Sequence, residues 1–227
     1  PLARQQKLMG RLRRLLSLQE APAREWLRVQ RDMSSSLFLV PWARRHLFHL
    51  AHHLLSLWDP TSKNYELPVS VTMEIRQRLE WWLNPCNLQK GVLLDPPCPA
   101  VITTDASGTG WGATLQSQSA QGLWSVAEAR NSSNWKELAA VLQALQVFAP
   151  HICNLPVLIR TDNQVTCAYV NHLGGTRSLS LNVLAEQIGY WAESHLLSLR
   201  AMYLPGRENG RADLLSRPIP SSVCLCL

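Results

Sequence analysis

A chain of 227 residues that is 46% apolar and 17% charged can bury one or two cores, which excludes a disordered or fibrous protein. No window holds 18 uninterrupted apolar residues, so no membrane-spanning helix is expected. The net +6 is confined to the first part: residues 1–97 hold 14 basic and 8 acidic groups, residues 98–227 eight of each, and residues 1–58 ten against three. Such a field attracts polyanions unless it is only a solvated helix face.

Residues 1–58 read as helices. Leu8, Leu12, Leu15 and Leu16 recur at helical spacing between Arg11, Arg13 and Arg14, and Pro22 can open a second helix carrying Trp26 and Val29. From Pro41, Leu47, Leu50, Leu54 and Leu57 make one stripe, with His46, His49 and His53 together on another face. The i, i+4 histidine pair could bind zinc, but no zincin carboxylate accompanies it, and a polar face is the simpler reading. A turn-rich connection over 59–68 leads to a helix from Ser70 to Leu83 with Ile75, Leu79 and Trp82 inward. Residues 84–99, with four prolines and little periodicity, read as a linker between a helical segment 1–83 and a domain 100–217, with 218–227 as tail.

The pattern then changes. Val101 to Thr104 form a β-rich run ending at Asp105, and Trp111–Leu115 and Leu123–Val126 read as two further strands joined by glycine turns. Trp135–Phe148 has helical spacing, Pro156–Thr161 is a strand, Asp162–His172 and Ser178–Ser194 are helices about the Gly174-Gly175 break, Leu197–Leu204 is a last strand and Arg211–Ser216 a last helix. This β-β-β-α-β-α-α-β-α order predicts an α/β fold, a mixed five-stranded sheet flanked by helices. The six cysteines form no Cys-x-x-Cys pair and fit reduced intracellular thiols, with Cys224-x-Cys226 in a frayed tail. The chain opens at Pro1 without a signal pattern and reads as part of a longer intracellular protein, whether nuclear or cytoplasmic.

Four acids stand at strand and helix ends: Asp105, Glu137, Asp162 and Asp213. Neighbouring strand ends can gather such groups, and clustered carboxylates repel unless cations separate them, which suits Mg²⁺ or Mn²⁺. Each acid also has a structural alternative. Asn134 and Glu137 fit a capping box, Asp162 fits an N-cap, Asp105 can serve the turn Ala106-Ser107-Gly108, and Asp213 can pair with Arg211 or Arg217. Capping alone does not account for four acids in this order.

The segments TDASGTGWGA, NWKELAAVLQAL, RTDNQVTCAYVN and PGRENGRADLLSR resemble the successive motifs of the ribonuclease H domain of retroelement reverse transcriptases, with the DIRS group nearest. The resemblance runs from Ile102 to Arg217, and residues 1–83 look like the stretch between the polymerase and ribonuclease H domains of such polyproteins. It implies an RNase H-like fold and a metal-dependent endonuclease cutting the RNA strand of RNA–DNA hybrids. Asp105, Glu137, Asp162 and Asp213 would hold two Mg²⁺ or Mn²⁺ ions, and the polymerase domain of the same polyprotein would be a partner. Ser107, Asn163, Gln164 and Asn209 are the candidate substrate-binding groups, while Trp111 and Trp135 flank the acids as core residues. No polymerase Asp-Asp motif is present, so polymerisation is not expected. Two departures stand out: no histidine lies in the loop Leu204–Ala212, and His172–Arg177 is too short for a basic handle. The alternatives are a catalytically inactive RNase H-fold binding module and, last, an actin-like nucleotide-binding domain, which would need a second glycine-rich turn that RTDNQ does not supply.

Overall fold

The computed structural model describes residues 2–91, 95, 97–174 and 178–217. The chain divides into two compact units, Pro1–Leu94 and Asp95–Leu227. The first contains α1 (Leu2–Ser17), β1 (Glu20–Pro22), α2 (Ala23–Ser34), α3 (Ala43–Leu57), β2 (Pro68–Ser70), α4 (Met73–Glu80) and α5 (Pro85–Gln89). The leucines at positions 8, 12, 15 and 16 of α1 are buried, as their spacing requires, beside Trp26 and Met33 of α2.

Four details of this unit differ from the sequence reading. β1 and β2 pair antiparallel, with Ala21 opposite Val69; strands this short show no alternation to read. The helix expected from Ser70 starts at Met73, because the Thr72 side chain accepts from the Ile75 N–H and fixes the boundary there. Asn84 likewise caps α5, which gives the start of the expected linker a helical turn. On α3 the buried stripe is Ala43, His46, Leu50 and Leu54, while Leu57 is 47% exposed. His46 stacks on Trp81 at 4.0 Å, His53 Nε2 meets the Ser70 carbonyl at 2.8 Å, and His49 lies against Arg78. The histidines are thus spread over three contacts, and none belongs to a metal-competent cluster among the described residues.

The second unit runs β3 (Ala100–Ala106), β4 (Gly110–Leu115), β5 (Gln118–Leu123), α6 (Val126–Ala129), α7 (Ser133–Val147), α8 (Ala149–Ile152), β6 (Pro156–Thr161), α9 (Gln164–His172), α10 (Leu179–His195), β7 (Ser198–Tyr203) and α11 (Gly210–Ser216). The sheet order is β5-β4-β3-β6-β7, with β4 antiparallel to β3 and β5, and β6 parallel to β3 and β7. This is the expected mixed five-stranded sheet flanked by helices. Its core joins Ile102 and Ile159 of the sheet to Leu138 and Leu145 of α7, all essentially inaccessible.

One strand was misplaced from sequence. β5 ends at Leu123, where the strand Leu123–Val126 was expected to begin, because a two-residue turn at Gln116-Ser117, with Gln116 at φ 54°, folds the polar run Gln118–Leu123 directly onto β4. Val126 instead opens α6, behind a capping box of Ser125 and Glu128. α11 packs on β3 and β4, and Gly112 makes that seat possible: a Cβ there would come within 2.5 Å of the Ala212 carbonyl oxygen and Leu215 Cβ. Residues 175–177 of the turn expected over His172–Arg177, and the tail 218–227, lie outside the described residues. Among the described residues no helix is long and apolar enough to cross a membrane.

Candidate active site

Parallel pairing of β3 with β6 sets the site. Thr103 is opposite Arg160, so two residues further on Asp105 and Asp162 reach the same carboxyl-end edge of the sheet. α7, packed on β3 and β4, brings Glu137 to that edge from its first turns. Oxygen atoms of Asp105, Glu137 and Asp162 all lie within 4.8 Å of one another. Asp105 is 6% exposed and Glu137 8%.

The capping alternatives do not hold for two of these acids. Ser132 caps α7, its side chain accepting from the Trp135 N–H, so Glu137 has no capping duty. Asn163 caps α9, accepting from the Thr166 N–H at 2.9 Å, so Asp162 is not the cap either. Glu137 Oε2 is buried without a hydrogen-bond partner.

Electrostatics follow from the crowding. Burial pushes the Glu137 carboxyl up to about 8, the charges of Asp105 and Asp162 add to the shift, and the Ala106 backbone N–H opposes it. Burial also raises Asp105; the Ser216 hydroxyl and Arg217 oppose that shift, and Asp162 and Asp213 reinforce it. Asp213 is not one of the converging three: its side chain is 40% exposed and accepts from Arg217 at 2.7 Å, the partner that sequence suggested.

The polar candidates separate by place. Asn209 is buried, its Nδ2 donating to Asp105 Oδ1 at 2.9 Å and to the Thr104 carbonyl at 3.2 Å. It is thus a holder of Asp105 and not a solvent-facing substrate contact. Ser107 is occupied by its own turn and by the end of α11, accepting from the Gly110 N–H and donating to the Ser216 carbonyl. Asn163 donates to Asn134 Oδ1 at 2.9 Å, and Gln164, the first residue of α9, is exposed. As a site residue Asn134 was overlooked in the sequence, which offered it only as the cap paired with Glu137; its place one turn before Glu137 was the available signal. Trp124 was overlooked too: it stands edge-on to Trp135 and donates to the Ser107 carbonyl at 3.1 Å. Gly206 passes so close to Asp162 that a Cβ would sit 3.2 Å from its Oδ2.

The chain is similar to known proteins in three respects. Residues 95–180 match the family described as "RNase H-like domain found in reverse transcriptase". The enzymatic polyprotein of Cauliflower mosaic virus (strain D/H) is 30% identical over 148 residues, 58% of this chain and 21% of the relative; that of Carnation etched ring virus is 36% identical over 131 residues, 53% and 19%. The chain thus spans about a fifth of the length of these relatives. Among solved structures, LC11-RNase H1 in complex with RNA/DNA hybrid is 19% identical over 51% of this chain and 91% of that one, with a TM-score of 0.43. The second unit has the RNase H-like fold, and its residues 95–180 are similar to the domain found in reverse transcriptases.

Proposed function

We propose that this chain is the ribonuclease H part of a retroelement reverse transcriptase, DIRS-like by its motifs, and hydrolyses the RNA strand of RNA–DNA hybrids with divalent metal ions. The observation that carries this reading is three carboxylates converging within 4.8 Å, with Glu137 Oε2 buried and unpartnered. Such a cluster is unfavourable unless protonated or neutralised, and an all-oxygen donor set suits Mg²⁺ or Mn²⁺. Asp105, Glu137 and Asp162, with Asp213 at the margin, would hold two such ions, which supply a lowered pKa for the attacking water and stabilisation of the leaving 3′ oxygen.

The chain's own residues prepare that chemistry. Asn209 fixes the orientation of Asp105 through its amide N–H. Glu137 keeps its proton up to about pH 8 until a cation replaces it. The bare backbone at Gly206 leaves Asp162 Oδ2 uncovered by any side chain of that residue. Gln164, with the Asn134–Asn163 pair beside it, offers polar groups for sugar edges, where the 2′-hydroxyl distinguishes RNA from DNA.

The test is Asp105→Asn. The variant should bind hybrid and melt like the parent but cut on the order of a thousandfold more slowly or worse in Mg²⁺ or Mn²⁺. Cutting at the parent's rate would refute the metal assignment. A parent chain that binds hybrid without cutting it would identify the inactive binding module.

A further inference from the structure

We propose that the groove between α1 and α2 of the first unit is a docking surface for the phosphate backbone of a nucleic-acid duplex. The choice of a hybrid duplex among polyanions rests on the function proposed above; the surface itself rests on the charges. α1 holds Arg4, Lys7, Arg11, Arg13 and Arg14 and no acid, and the two helices together carry eight cations against two acids. Positions 4, 7, 11 and 14 recur at three- and four-residue intervals, which puts them on one flank of α1. Arg24, Arg28 and Arg31 do the same on α2.

The Arg11 and Arg14 end of this flank is turned toward α2. Arg11 pairs with Asp32, and a cavity of about 220 Å³ is lined by Arg11 and Arg14 from one helix and Glu25, Arg28 and Val29 from the other. Arg28 is tied to Glu25. Arg4, Lys7, Arg14 and Arg31 are exposed and have no ion pair among the described residues.

This pattern works against the helix that bears it. Like charges at these intervals repel, and Arg4 in the first turn opposes the helix dipole. A local rule broken along a single flank marks a surface kept for binding. Four cations from Arg4 to Arg14 span about 15 Å at 1.5 Å per residue, which is the rise of about four phosphates of one strand at 3.4 Å each. A membrane is the less fitting partner. An interfacial helix must bury its apolar face in lipid, whereas Leu8, Leu12, Leu15 and Leu16 are already in the core.

The experiment uses the full chain and a labelled RNA–DNA hybrid in EDTA, read by anisotropy over a range of salt. The triple variant Arg4→Gln, Lys7→Gln, Arg14→Gln should lower the slope of log affinity against log salt by about 0.9 per lost contact, about 2.7 in all. Its melting temperature should equal or exceed the parent's. Arg44→Gln, Lys63→Gln, Lys90→Gln removes the same charge from exposed positions elsewhere in the unit and should leave most of the slope in place. Equal losses in both triples would reduce the effect to net charge and overturn the proposal. An unchanged slope in the first triple would also overturn it, as would binding to phosphatidylserine vesicles that alone depends on these residues. Binding in EDTA with no cleavage once Mg²⁺ or Mn²⁺ is supplied in excess would count against the catalytic reading and leave this one standing.

Discussion

α1 itself carries five cations and no acid, one of them paired with Asp32 of α2 and most of them facing water, whereas at the sheet edge two carboxylates are carried to 6% and 8% exposure with a third beside them. The contrast separates two uses of charge. Exposed like charges cost a few tenths of a kcal/mol per pair and act outward, over about the 10 Å that salt allows. Buried like charges cost far more and are relieved only by a proton or a cation. His49 in the first unit shows the third outcome. Burial, with Arg78 and Arg45 nearby, pushes it down to about 3, so it stays neutral and asks for nothing further.

The strongest way to break this contrast is Glu137→Gln. Cleavage should fall on the order of a thousandfold if the proposed metal-holding charge is gone, while the metal-free fold should become more stable at neutral pH. The pH dependence gives the sign. The unfolded Glu137 ionises near its ordinary 4.5, and the folded one keeps its proton to about 8. The folded state therefore binds more protons between those values, and metal-free stability should fall as pH rises through that window. Urea titrations at pH 5 and pH 8 should show the loss in the parent, a flatter response in Glu137→Gln, and recovery in the parent on adding Mn²⁺. A parent whose stability is level across that window would mean the pocket carries no stored repulsion.

A smaller effect tests how the pocket is framed. Gly112→Ala forces a Cβ against the Ala212 carbonyl and Leu215, so α11 must lift. Overpacking of this kind should cost about 1–3 kcal/mol. Cleavage should drop with it as Asn209 and Asp213 shift, while hybrid affinity, which the proposal assigns to the first unit, should stay near the parent's. The smallest effect belongs to the exposed side of the comparison. Arg14→Gln should change stability by less than about 0.5 kcal/mol in thermal melts, because the guanidinium is solvated and unpaired among the described residues.

Legibility in the sequence followed periodicity and order. The strands at 100–106 and 156–161 and the helix at 133–147 announced themselves by apolar spacing, and the chain order of their ends pointed to Asp105, Glu137 and Asp162. β5 was missed because QSAQGL is an edge strand with mostly polar residues, and its register is set by a turn rather than by a buried face. His46 was read as polar because spacing alone cannot show that Trp81 lies across from it. The role of Asn209 was illegible for the same reason: a bond over 104 residues leaves no local trace.

That separation has a consequence in time. Asp105 enters the growing chain early in the second unit, and the amide that holds it arrives 104 residues later, just before α11. Synthesis runs from the N-terminus, so the sheet can form around the three acids while Asp105 still lacks its partner. The carboxylate pocket is thus assembled in two stages, its donors first and its alignment last. α11, seven residues long and seated on β3 and β4 over Gly112, is the element whose local release would undo that alignment. Each excursion of α11 would free Asp105 and return the pocket to its earlier, unaligned stage without unfolding a strand.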